Sequence, residues 1–161
     1  MSNLKDALHI PDTQSAPDER HLAIQRVGIK SIRYPLQLRI GSAGVHTVAL
    51  WDLDVALPAE QKGTHMSRFV AWLDALDAPM DAALLRTQMA AMLDKLHADE
   101  GRIDAQFPFF LRKRAPVSGV QSLLEYQGRW IADARVGRYS VDVENFESIH
   151  AHSAYARIER V

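Results

Sequence analysis

Ile32-Arg33-Tyr34-Pro35-Leu36-Gln37-Leu38-Arg39-Ile40 alternates side-chain character residue by residue. Ile32, Tyr34, Leu36, Leu38 and Ile40 fall on one face of an extended chain, with Arg33, Pro35, Gln37 and Arg39 on the other. A period of two over this length describes a half-buried strand. Pro35 has no N–H to give a ladder, so the strand belongs at a sheet edge or carries a bulge there. Gly41-Ser42-Ala43-Gly44 supplies a turn, and Trp51, Leu53, Val55 and Leu57 then alternate with Asp52, Asp54 and Ala56 until Pro58. Two alternating runs joined by a short turn form an antiparallel hairpin.

Downstream the period becomes 3.6. Met66, Phe69, Val70, Leu73 and Leu76 share one helical face, with Thr64 as its N-cap and Pro79 beyond its end. Asp81 can cap a second helix with an apolar stripe of Leu85, Met89, Met92, Leu93 and Leu96, ending at Gly101. A stripe rich in Met reads as core packing. Alternation returns with Ile103, Ala105, Phe107, Phe109 and Leu111, and a fourth strand is predicted from Val117 to Tyr126. The order β-β-α-α-β-β describes an α+β fold, an antiparallel sheet with a helix pair on one face. Residues 127–137 read equally as a short helix or a strand extension. Tyr139, Val141 and Val143 mark a fifth strand and Ala154, Ala156 and Ile158 a sixth, a C-terminal β-β pair.

The chain has 161 residues, the size of one domain or of two small modules. A net charge of −1 argues against a general nucleic-acid binder. No run of about 18 apolar residues occurs, so no membrane helix is expected. The first residues lack a signal-peptide pattern, and the expectation is a cytoplasmic protein. Cysteine is absent, which excludes disulfides and thiolate chemistry from this chain. Residues 1–25 are polar, with Pro11 and Pro17, and read as a flexible arm.

Three stretches can carry chemistry. Lys62-Gly63-Thr64-His65-Met66-Ser67-Arg68 opens the first helix, where free N–H groups and the helix dipole favour an anion. It lacks P-loop spacing, and it also suits a solvated helix start. Arg112-Lys113-Arg114 ends the third strand, where three cations can hold phosphate or simply guard a sheet edge. Glu144-Asn145-Phe146-Glu147-Ser148-Ile149-His150-Ala151-His152 sets two carboxylates beside two imidazoles. A His-x-His pair near a carboxylate suits Zn, Fe or Mn, although His150 and His152 alone are an incomplete metal site. A carboxylate such as Glu147 can also accept two parallel N–H bonds from the edge of a guanine or pterin.

KGTHMSRF at 62–69, FPFFLRKRAPVSG at 107–119, ENFESIHAHSAYA at 144–156 and VGIKSIRYP at 27–35 together resemble the type IB GTP cyclohydrolase family. The resemblance covers most of residues 24–126 and again about 131–161. It implies the tunnelling fold, whose β-β-α-α-β-β modules assemble into homo-oligomeric barrels with active sites between subunits. It implies hydrolytic opening of the GTP purine ring to 7,8-dihydroneopterin triphosphate and formate, on the route to folate. In that reading Glu147 anchors the guanine, His150 and His152 serve metal ligation or proton transfer, and a divalent metal (Zn, Mn or Fe) activates water. Lys62, His65, Arg68 and Lys113 are the implied triphosphate contacts. Neither nucleic acid nor membrane is an expected partner.

The chain departs from the family pattern in one respect. Members continue after the fourth strand into a second module with a Ser-Leu-Cys-Pro-Cys-type segment, whereas here Leu124-Glu125-Tyr126 is followed closely by Ile131-Ala132-Asp133-Ala134-Arg135. The expected organisation is an arm over 1–25, a tunnelling-fold module over 26–126, and a junction with the strand pair of a truncated second module over 127–161. The alternative is an inactive tunnelling-fold remnant that binds a purine or pterin or serves as an oligomeric scaffold.

Overall fold

The computed structural model describes residues 24–60, 63–135 and 138–147, the last segment as a backbone path. Its elements are β1 (Ile24–Ile40), β2 (Ala43–Leu57), α1 (Met66–Asp74), α2 (Ala82–Leu96), β3 (Gly101–Arg114), β4 (Gln121–Arg135) and β5 (Arg138–Glu147). The strands form one antiparallel sheet in the order β1-β2-β3-β4-β5. The α+β order β-β-α-α-β-β of a tunnelling-fold module is present, with β5 added beside β4. The predicted sixth strand lies outside the described residues.

The opening hairpin forms as the alternation requires. Ile40 pairs with Ala43 across Gly41-Ser42, and Gly41 takes φ +61, a left-handed value that a side chain disfavours. β1 starts eight residues before Ile32, where the alternation begins, because a bulge between Ile29 and Ile32 breaks the period. At that bulge Ser31 has φ 56, and its N–H donates to Asp52 Oδ1 at 2.7 Å. β1 is an edge strand, so Pro35 is tolerated. Part of that edge is covered. Met80, between the helices, donates its N–H to Gln37 O (2.7 Å), and its carbonyl accepts the Arg39 N–H (2.9 Å).

Both helices pack on one face of the sheet, against Leu36, Leu38, Trp51, Leu53, Val55 and Ile103. Each fully buried Leu, Met or Phe there contributes about 1.5–3 kcal/mol. The α2 stripe is as predicted: Leu85, Met89, Met92, Leu93 and Leu96 are all buried. Asp81 caps it, accepting the Leu84 N–H at 2.8 Å. The helix ends at His97, which takes the left-handed C-cap conformation with φ 53. Gly101 instead opens β3, where a Cβ would stand 2.8 Å from Asp54 O and 2.9 Å from Leu93 Cδ2.

α1 is turned relative to expectation. Phe69, Trp72 and Leu73 are buried, whereas Met66 and Val70 are 37% and 42% exposed. The indole decides the rotation. Trp72 meets Trp51 edge-on at 5.9 Å and donates Nε1–H to Gln88 O at 3.1 Å, tying α1 to both sheet and α2. At its far end, Asp74 Oδ1 accepts the Tyr34 hydroxyl at 2.8 Å, which holds the phenol pKa above its ordinary value.

The fourth strand begins at Gln121, not Val117. Residues 115–120 form a turn closed by Ala115 N–H to Val120 O (2.9 Å), with Gly119 at φ +69. β4 continues to Arg135, so 127–135 is strand rather than helix. On the helix-free face, carboxylates and guanidinium groups alternate across the strands. Arg129 holds Asp104 with two bonds of 2.9 and 2.6 Å, Arg102 meets Asp133 at 2.9 Å, and Arg26 pairs with Asp54.

Candidate purine site at the β3–β4–β5 row

β3 and β4 pair along their whole length, from Gly101↔Ala134 to Arg114↔Gln121. β2 follows β3 only as far as Leu50↔Gln106. Pro108, two residues further on, has no N–H to extend that ladder. The Thr47 hydroxyl donates to Pro108 O at 2.6 Å instead. Beyond Gln106, then, β3 and β4 run clear of β2, and this free end carries an aromatic column.

The column follows from the sequence of the two strands. Phe107 sits over Gly128, where a Cβ would be only 2.4 Å from Phe107 Cε2. Trp130 meets the Phe107 ring edge-on at 4.8 Å, and Phe109 stacks on Tyr126 at 5.4 Å with 22° between planes. Lys113 Nζ lies 5.1 Å from the centre of the Tyr126 ring, within cation–π range. Tyr126 is 1% exposed, and its hydroxyl has no hydrogen-bond partner. Buried hydroxyls are nearly always paired, so an orphan asks for a missing partner.

The ladder completes the row. Tyr126 pairs with Phe109 on β3 and with Glu147 on β5. Directly opposed residues of an antiparallel pair have Cα atoms about 4.5–5.5 Å apart. An aromatic ring, a phenol, a cation and the backbone position of an acid therefore converge at one end of the sheet. Flat apolar surface with an acid at its edge is the chemistry a purine needs.

A second feature lies at the start of α1. His65, not Thr64, occupies the N-cap position and makes no side-chain cap bond. Thr64 is buried, and its hydroxyl has no partner. Arg68 is half-buried one turn on, and its N–H donates to His65 O at 3.0 Å. No acid stands in the first turn, so the positive end of the helix dipole is not neutralised there. His65 and Arg68 thus share one helix start, while Lys113 belongs to the Tyr126 row. Lys62, His150 and His152 lie outside the described residues. Among the described residues no group of three or more acidic or imidazole side chains converges to hold a metal.

Tyr126 was invisible to sequence reasoning. Alternation along β4 puts it inward, but nothing in a sequence marks a hydroxyl that will be left unpaired. A cleft of about 370 Å³ opens on the other face, between Arg33, Val48, Leu50, Gln106, Pro108 and Gln127. Its lining holds one cation and no carboxylate, so it lacks the acid that the row supplies.

The sheet and its helix pair define an α+β protein with the element order of a tunnelling-fold module. A family profile described as type I GTP cyclohydrolase folE2 matches residues 10–136. The chain is 73% identical over 132 residues to GTP cyclohydrolase FolE2 of Methylibium petroleiphilum, covering 80% of the chain and 44% of that protein. It is 53% identical over 138 residues to GTP cyclohydrolase FolE2 of Paraburkholderia xenovorans, covering 85% and 52%. With GTP cyclohydrolase FolE2 of Bordetella pertussis the figures are 53% over 135 residues, 83% and 51%. The chain belongs to the type I GTP cyclohydrolase FolE2 family. It spans about half the length of the curated relatives it matches.

Proposed function

We propose that the chain acts on GTP as a cyclohydrolase, opening the purine ring to formate and 7,8-dihydroneopterin triphosphate in folate biosynthesis. Membership of the FolE2 family supports the reaction, and the observation that carries the site is the Phe109–Tyr126–Glu147 row. Glu147 accepts N1–H and the 2-amino group of guanine, a pairing that a carboxylate makes with two parallel bonds. Phe109, half-buried and stacked on Tyr126, gives the base an aromatic surface. Lys113, with Lys62, His65 and Arg68, takes the triphosphate; the uncapped α1 start and the Thr64 hydroxyl favour an anion. His150 and His152 transfer protons or hold the divalent metal (Zn, Mn or Fe), which supplies water activation when bound. The assembled enzyme is a cytoplasmic homo-oligomer built from a 1–25 arm, a 26–126 tunnelling-fold module and a 127–161 segment of a truncated second module that supplies Glu147, His150 and His152.

Incubation with GTP and Mn or Zn tests the reading. Formate should appear with a product that becomes fluorescent on oxidation. Absence of formate at saturating GTP and metal would sink the enzymatic assignment. Nucleotide binding without turnover would leave a purine-binding member of the family.

A further inference from the structure

Among the described side chains of the row, the buried Tyr126 hydroxyl has no hydrogen-bond partner. Burying it unpaired destabilises the fold, and a phenylalanine would fill the same space without that cost. Its surroundings are built rather than incidental: the ring stacks on Phe109, the Lys113 ammonium lies 5.1 Å from its centre, and the β4–β5 ladder sets its backbone directly opposite Glu147. We propose that Tyr126 determines specificity for a 6-oxopurine, its O–H donating to O6 of the bound guanine while Glu147 takes the neighbouring N–H groups. The proposal rests on the reading of Glu147 as the guanine anchor.

The chemistry selects this partner. Along its pairing edge guanine presents O6, N1–H and the 2-amino group, an acceptor followed by two donors. A carboxylate only accepts, so Glu147 satisfies the two donors and leaves O6 wanting a donor. A phenol O–H is such a donor, and the ladder sets Tyr126 and Glu147 at opposed backbone positions of neighbouring strands. Adenine has an amino donor where guanine has O6 and no 2-amino group, so it mismatches both residues. Sites that bond a substrate's polar group discriminate strongly against analogues lacking it, because the site is then left unpaired.

The test is calorimetric titration of the full chain, wild type, Tyr126→Phe and Glu147→Ala, with GTP and with 2-aminopurine riboside triphosphate, which lacks O6 and with it the N1–H, and keeps the 2-amino donor for Glu147. Tyr126→Phe should weaken GTP about tenfold, the scale of one lost hydrogen bond, and change the 2-aminopurine ligand by less than about twofold. Without nucleotide the variant should melt no lower than wild type, a combination that a purely structural tyrosine does not produce. Equal weakening of both ligands, or a lowered melting temperature, overturns the proposal. So does unchanged GTP affinity in Tyr126→Phe while Glu147→Ala loses binding; that result leaves the anchor reading intact. If Glu147→Ala has no effect, or wild type binds no GTP, the anchor reading falls and this proposal with it.

Discussion

Replacing Arg129 by methionine removes the guanidinium that holds Asp104 through bonds of 2.9 and 2.6 Å, and the two partners are not equally dispensable. The Asp104 side chain is 11% exposed and that of Arg129 is 33% exposed. Unit charges about 4 Å apart attract by about 4 kcal/mol at an effective dielectric near 20, an attraction that offsets a desolvation penalty of several kcal/mol for the carboxylate. With Arg129 gone, Asp104 keeps, among the described residues, the more distant Arg102 Nη2 at 3.9 Å. The cost should be about 3 kcal/mol, the lower end for a broken buried pair. Asp104→Leu leaves instead a guanidinium that water can reach, and should cost only about 1–2 kcal/mol. The double variant should return to within about 1 kcal/mol of wild type, because an apolar pair of similar volume has no charge to desolvate. Urea denaturation of the four proteins completes the cycle. Additive single effects, or a larger loss for Asp104→Leu than for Arg129→Met, would refute the reasoning.

Other consequences follow from single contacts. Gly128→Ala drives a Cβ to 2.4 Å from Phe107 Cε2, so overpacking of about 1–3 kcal/mol outweighs the roughly 0.4–1 kcal/mol gained by restricting the unfolded chain; the denaturation midpoint should fall, and an unchanged midpoint would show that Phe107 moves freely. Asp81→Ala loses the cap to Leu84 N–H and should cost about 1 kcal/mol, with Asp81→Ser recovering most of it. For Tyr34, the bond to Asp74 raises the folded pKa, so its stabilisation is present below the ordinary phenol range and is lost as pH rises through the raised value. In ultraviolet titration the Tyr34 phenol should ionise later in wild type than in Asp74→Ala.

The hairpins and helices were legible because their inward residues are large and regularly spaced, as in Trp51, Leu53, Val55 and Leu57. The continuation of β4 past Tyr126 was not, for a reason visible in its partner strand. Its inward positions are Tyr126, Gly128, Trp130, Ala132 and Ala134, opposite Phe109, Phe107, Ala105, Ile103 and Gly101. Large faces small in the middle three pairs, so Gly128, Ala132 and Ala134 carry little hydropathy signal. The α1 rotation was hidden for a related reason: periodicity admits several adjacent faces, and only the Trp51–Trp72 contact selects one. At the site, the charged motifs were legible as residue types. The pairing of Tyr126 with Glu147 was not, since it depends on a register spanning twenty residues of chain.

Hydrogen–deuterium exchange of the full chain with and without GTP tests most directly where the purine sits. Bound nucleotide should slow exchange in peptides covering 107–114, 121–128 and 140–147, with a smaller effect over 63–70 at the start of α1. Protection confined to other segments at saturating GTP, with the β3–β4–β5 row unchanged, would contradict the account.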